Sequence, residues 1–239
     1  MRHVQLPNNM TTKDLTPKDL LVYVSIKRYM NKDSLECYPS LDKIVEVSGI
    51  SKPTVRKTID KLSKLNYITV TKSGRKNIYK FSPYKNFEPF SYEFLDKKDI
   101  SADEKALIIA EQQFMFKDID GLGKISYTDL ELSDKINMSY NTIVKYHKSL
   151  EQKGYLTTIK TRAKDSETGL AINEKIFHLD ELGQAIIWTL QKHDEDIENL
   201  KIKTDNTSKD MKLVLKELER LNKKIDELEN KNNSDEIKW

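Results

Sequence analysis

Two stretches of this chain, 88 residues apart, are versions of one another. Residues 49–68 read GISKPTVRKTIDKLSKLNYI, residues 137–156 read NMSYNTIVKYHKSLEQKGYL, and they align without a gap. Ser51 falls on Ser139, Thr54 on Thr142, Lys57 on Lys145, Leu62 on Leu150 and Tyr67 on Tyr155. Ile50 and Val55 fall on Met138 and Ile143, so apolar and polar positions keep the same spacing. Upstream, TPKDLLVYVSIKRYM (16–30) parallels SADEKALIIAEQQFM (101–115), with the offset changed by three. A repeat of this kind means two copies of one supersecondary unit, each with the same face to bury.

Each copy reads in one order. A first helix opens on a cap, Thr16 with Pro17 at the first helical position, or Ser101 with Glu104 as a capping box. A short second helix follows, about 41–48 or 129–135. A tight turn leads to a third helix with Ser51 or Ser139 as N-cap. On that helix Val55, Ile59 and Leu62, or Ile143, His147 and Leu150, share one face. Two β-rich runs close each copy: YITVT and NIYKF, then YLTTIKT and KIFHL. Helix, helix-turn-helix and hairpin in that order make a winged helix-turn-helix.

The run CYPSLDKIVEVSGISKPTVRKTIDKLSKLNYITV resembles the winged-helix domains of plasmid and phage replication initiators and related regulators. The resemblance is carried by the Pro39-Ser40 pair opening the second helix, Ser51-x-x-Thr54-Val55 opening the third, and Leu62-x-x-x-Asn66-x-Ile68 entering the wing. Asn66 replaces the family's Gly and also tolerates a left-handed backbone. The second copy keeps Gly154 but has Tyr127-Thr128 where the first has Pro39-Ser40. The likeness covers roughly residues 14–82 well and 99–180 less well. It implies duplex DNA binding, with replication initiation at repeated origin sites as its leading role. Transcriptional regulation at an operator is the second reading, and a protein-binding adaptor such as a helicase loader is the third. Replication proteins are then expected partners.

In this fold the third helix enters the major groove. Helical phase turns Arg56, Lys57, Lys61 and Lys64 outward, with Lys52 and Thr54 at the N-terminal end. In the second copy Asn141, Val144, Lys145 and Lys148 face out, flanked by Tyr140 and Thr142. Arg and Asn can read guanine and adenine edges, while Lys contacts phosphate and positions the protein. The wing tips add Lys72, Arg75 and Lys76, and Lys160, Arg162 and Lys164. His147 stands where the first copy has Ile59 and reads as a satisfied core side chain.

One segment suggests a different chemistry. FMFKDIDGLGKISYTDLEL (114–132) places Asp118, Asp120, Gly123 and Ile125 in register with a calcium loop. Leu122 occupies a ligand position, and Asp129 is one methylene shorter than the bidentate Glu that closes such loops. The repeat puts this segment at the connection from first to second helix. Gly121 and Gly123 are therefore expected to make a turn, and Ile125 to begin a strand beside the wing.

From Leu190 a heptad series takes over, dense over Met211, Val214, Leu218, Leu221, Ile225 and Leu228, with Leu200 upstream. It predicts a coiled-coil helix joining copies of the chain. The expected organisation is an arm (1–13), winged-helix domains at 14–90 and 91–188, a coiled-coil helix at 189–232 and a frayed end at 233–239. The fold class is mostly α with small β-wings. One cysteine excludes an internal disulfide framework and fits a reducing cytoplasm. No apolar run approaches the roughly 20 residues that span a bilayer. No phosphate loop, metal motif or catalytic set is visible, so no cofactor, metal or enzymatic activity is expected.

Overall fold

The computed structural model describes residues 3–10, 14–74, 76–117, 122–164 and 171–183, and in the tail residues 204, 209–212, 216, 218–220 and 223. Residues 1–189 form one compact unit and residues 190–239 a second.

The chain starts with strand β1 (His3–Pro7) and a 3-10 turn at Asn8–Met10. Helix α1 (Pro17–Lys27) follows, with the full reciprocal cap at its start: Thr16 N donates to Asp19 Oδ2 at 2.9 Å and Asp19 N to Thr16 Oγ1 at 3.4 Å. Leu20, Leu21, Val22, Tyr23, Val24 and Ile26 are all buried, so α1 is a central helix apolar on every side. Strand β2 (Glu36–Cys37) precedes α2 (Leu41–Ser48), which is capped by Ser40 and ends on left-handed Gly49. Helix α3 (Lys52–Lys64) leads through left-handed Asn66 into β3 (Ile68–Ser73) and β4 (Lys76–Phe81). These strands form an antiparallel sheet in the order β2-β4-β3.

Strand β5 (Phe87–Ser91) and the short helix α4 (Tyr92–Asp96) connect the copies. The N-terminal arm pairs there, β1 antiparallel to β5 with Val4 opposite Phe90. Alternating Val4 and Leu6 point into the core. A two-stranded ribbon also accommodates Pro89, which has no N–H to donate.

The second copy comprises α5 (Ala102–Glu111), β6 (Phe116–Lys117), β7 (Leu122–Ile125), α6 (Asp129–Ile136), α7 (Tyr140–Gln152), β8 (Leu156–Lys164) and β9 (Ala171–His178). Its sheet runs β6-β7-β9-β8. Helices α1 and α5 pack on one another, and one continuous hydrophobic core serves both copies. Gly49 lies against α5, where an added Cβ would come within 3.2 Å of the Ala102 Cβ.

Two local expectations are corrected. Gly123 is not in a turn; it pairs with Phe177 inside β7. Its missing side chain makes room for Met115, whose Sδ would lie 2.9 Å from an added Cβ. Ile125 ends this strand rather than beginning it, opposite Lys175. Asp118, Asp120 and Gly121 lie outside the described residues.

Candidate nucleic-acid interface

Helix α3 is held by Val55, Ile59 and Leu62, all buried in the core with Ile44 and Ile50. Its opposite side turns Arg56, Lys57 and Lys64 to solvent. Lys52 is half-buried and donates to Asp42 Oδ1 at 2.6 Å. Thr54 is also half-buried, its hydroxyl 2.9 Å from that of Ser51. That hydroxyl pair replaces the side-chain cap expected of Ser51.

Lys61 departs from the expected outward set. Its amine donates to Asp19 Oδ2 at 2.8 Å, while the Thr58 hydroxyl donates to Asp19 Oδ1 at 2.6 Å. Lys61 flanks the apolar stripe, and a buried carboxylate on α1 draws its long side chain inward. Burial pushes the Asp19 carboxyl up, but hydrogen bonds from Lys61, Thr58 and Thr16 outweigh it, leaving the group below the usual carboxylate range.

The second copy repeats the device. Glu104 occupies the same capping-box position as Asp19, and its Oε1 accepts from Ser149 Oγ at 2.6 Å and Lys153 Nζ at 2.9 Å. Burial opposes ionisation of Glu104, yet the bonds from Lys153, Ser149 and Ser101 bring its pKa down to about 2. Each copy thus ties the first turn of its first helix to its third helix through one carboxylate. The signal for this was in the sequence, since both acids sit three residues after the N-cap of an aligned helix.

Helix α7 buries Ile143, His147 and Leu150. Tyr140, Asn141, Lys145 and Lys148 are exposed, whereas Thr142 and Val144 are half-buried. The Thr142 and Ser139 hydroxyls meet at 2.6 Å, matching the Thr54–Ser51 pair. Lys145 lies over the Tyr146 ring, 5.4 Å from its centroid. On the first hairpin Lys72 and Lys76 are exposed beside the turn at Gly74, and Arg75 lies outside the described residues. On β8 Lys160 is exposed, while the side chains of Arg162 and Lys164 lie outside the described residues.

A buried charge cluster behind α7 was not anticipated. His147 Nε2 is 2.9 Å from Glu111 Oε1 on α5, and its Nδ1 is 3.0 Å from Asp129 Oδ1 on α6. Lys175 on β9 pairs with the same Asp129 oxygen at 2.9 Å. Burial disfavours the imidazolium, but Glu111 and Asp129 on its two nitrogens push its pKa up to about 9. Asp129 is brought down to about 2, with the bonds from His147 and Lys175 overcoming its burial. The corresponding residues of the first copy are Ile26 and Ile59. A sequence signal existed here too: aligned apolar positions had changed together to an acid and a histidine.

In the tail, Met211 and Leu218 are helical and 61% and 51% exposed. Leu200, Val214, Leu221, Ile225 and Leu228 lie outside the described residues. Among the described residues no helix is long and apolar enough to cross a membrane, and no group of His, Cys, Asp or Glu is placed to hold a metal ion.

No curated protein matches the chain. Residues 13–68, the segment that contains α1, α2 and α3, match a family model described as a helix-turn-helix domain, which supports a DNA-binding role for this part of the chain.

Proposed function

We propose that the protein binds double-stranded DNA, with α3 entering the major groove and the β3–β4 hairpin as its wing. The second copy acts as another winged helix-turn-helix through α7 and the β8–β9 hairpin, and the heptad tail joins copies of the chain. One observation carries this reading. Within the matched helix-turn-helix segment, the third helix anchors itself by Val55, Ile59 and Leu62 and presents Arg56, Lys57 and Lys64 to solvent. Those side chains are free to meet phosphates and base edges. The protein is a cytoplasmic binding protein, not an enzyme. The resemblance of residues 14–82 favours a replication initiator at repeated origin sites. The same surface on an operator would make it a transcriptional regulator, and mapping its sites on its own genome separates the two.

The binding mode has its own test. Lys57→Ala and Lys145→Ala should weaken binding to all duplexes and reduce the salt slope by about one unit for each phosphate no longer neutralised. Arg56→Ala and Asn141→Ala should relax preference at one base pair, by about 1–3 kcal/mol. If all four variants behave alike on specific and random duplexes, the division into readers and positioners is wrong. Weak binding without a preferred site would point to the protein-binding adaptor instead.

A further inference from the structure

Where the copies meet, the fold forms an open cavity of about 370 Å³. Its walls come from the ends of α1, α2 and α4, the linker that follows α4, and the first turn of α5. Five cations line it: Arg28, Lys43, Lys97, Lys98 and Lys105. Against them stand two carboxylates, Glu46 and Asp96. Arg28 and Asp96 satisfy one another through two bonds of 2.6 and 2.8 Å. Lys97 reaches toward the Tyr155 ring, 5.4 Å from its centroid.

Lys105 is the unusual member. It is only 6% exposed, and its ammonium donates to the Leu95 carbonyl oxygen at 2.6 Å. Among the described residues no carboxylate lies within ion-pair distance of it. An ammonium has three donors, and a buried charge is costly unless it is paired. Burial holds the amine below the usual lysine range, and Asp96 and Asp99 act on it only from beyond ion-pair distance. Lys105 therefore brings into the cavity wall a cation with no directly bonded counter-charge.

A second cavity, of about 570 Å³, adjoins the first, and Tyr29 and Lys43 line both. Tyr38 and Pro39 add apolar wall there. Tyr29 and Tyr38 are 38% and 69% exposed, large rings left open to solvent. Cations beside an open aromatic surface are the combination that recognises phosphate together with a nucleobase. Both volumes fall within the range of small-ligand sites.

We propose that this double cavity binds a nucleotide unit, its phosphate held by Lys105, Lys98 and Lys43 and its base stacked on Tyr29. The unit can come from a free nucleotide or from a single-stranded segment, and the site shares no residue with the exposed face of α3.

The test uses the full chain and two fluorescent probes, methylanthraniloyl-labelled dATP and a fluorescein-labelled oligothymidylate, followed by anisotropy. The expected result is saturable binding of at least one probe. Binding of labelled dATP alone assigns the site to free nucleotides, and binding of the oligonucleotide alone assigns it to single strands. Tyr29→Ala and Lys105→Met should each weaken that binding about tenfold, since stacking on one ring accounts for a factor of that order. Lys98→Ala, an exposed change that leaves the core untouched, carries the test if Lys105→Met fails to fold. Duplex affinity should stay unchanged in Tyr29→Ala, while Lys57→Ala should weaken duplex binding and leave nucleotide binding intact. This contrast keeps failure of the cavity proposal distinct from failure of the α3 reading. Absence of saturable binding with both probes, or binding indifferent to Tyr29→Ala and Lys98→Ala, overturns the proposal.

Discussion

The buried cluster behind α7 can be exchanged for the apolar pair that the first copy uses in its place. Glu111 is fully buried and His147 is 5% exposed, with 2.9 Å between them. Glu111→Ile leaves an imidazolium in the core with only Asp129 beside it. His147→Ile leaves the Glu111 carboxylate buried without its cation. Breaking such a pair from one side costs about 3–5 kcal/mol, a large share of the roughly 5–15 kcal/mol that holds a typical domain together. The double variant Glu111→Ile/His147→Ile removes both charges and restores the residues found at Ile26 and Ile59. Asp129 then keeps Lys175 at 2.9 Å, so no lone charge remains. Replacing a buried pair by apolar residues of similar volume ranges from neutral to about 1–4 kcal/mol stabilising. Urea unfolding of the wild type, both single variants and the double variant closes the cycle. The double variant should be at least as stable as the wild type, far above the sum of the single losses. Additive losses would refute the view that the two charges exist for one another.

The same cycle has a pH signature. The folded pKa of His147, about 9, lies above the ordinary value of 6.5. Its contribution is therefore complete below about pH 6.5 and fades as pH rises through 9, amounting to about 3 kcal/mol. Burial brings the Lys27 amine down to about 7, so it titrates in the same window with the opposite sign. The readout is therefore the difference, and the double variant should gain stability relative to the wild type as pH rises from 6.5 to 9. A difference that stays constant with pH would place the titrating group elsewhere.

Two further outcomes follow from the repeat and the tail. Asn66 holds φ of 60° where the second copy has Gly154 at 78°; Asn66→Gly should stabilise by a few tenths of a kcal/mol up to about 1 kcal/mol, since only glycine adopts that backbone without steric cost, and a lower thermal midpoint would count against it. Changing Leu218 and Leu221 together to Asp should reduce the mass in solution to the 27.9 kDa of a single chain while both copies stay folded; a wild type that is already monomeric at tens of micromolar by ultracentrifugation would remove the coiled-coil premise.

What the sequence disclosed was what depends on local chemistry. Thr16-Pro17 and Ser101-x-x-Glu104 mark helix starts because caps are satisfied within four residues, and the starts of α1 and α5 fall where those residues put them. Val55, Ile59 and Leu62 mark the inner face of α3 because one helical period decides it. The features that escaped reading are settled by partners far away in the chain. The β1 strand pairs with residues 80 to 88 positions on, and nothing within His3–Pro7 names Phe87–Ser91 as its neighbour. Lys61 looked like one more solvent lysine until Asp19, 42 residues earlier, claimed it. Both omissions have the same physical root, since a lone strand or a lone charge specifies a need without specifying who meets it. Comparing the copies supplies part of the missing information. Asp19 and Glu104 occupy one aligned position and both reach the third helix, so the acid at that position does two jobs, capping its own helix and tethering another. At the positions of Ile26 and Ile59, the paired change to Glu111 and His147 is intelligible only as an exchange of one buried contact for another. Two copies can therefore reveal a tertiary contact wherever both sides of it have changed, and they stay silent where, as at β1, only one copy has the element.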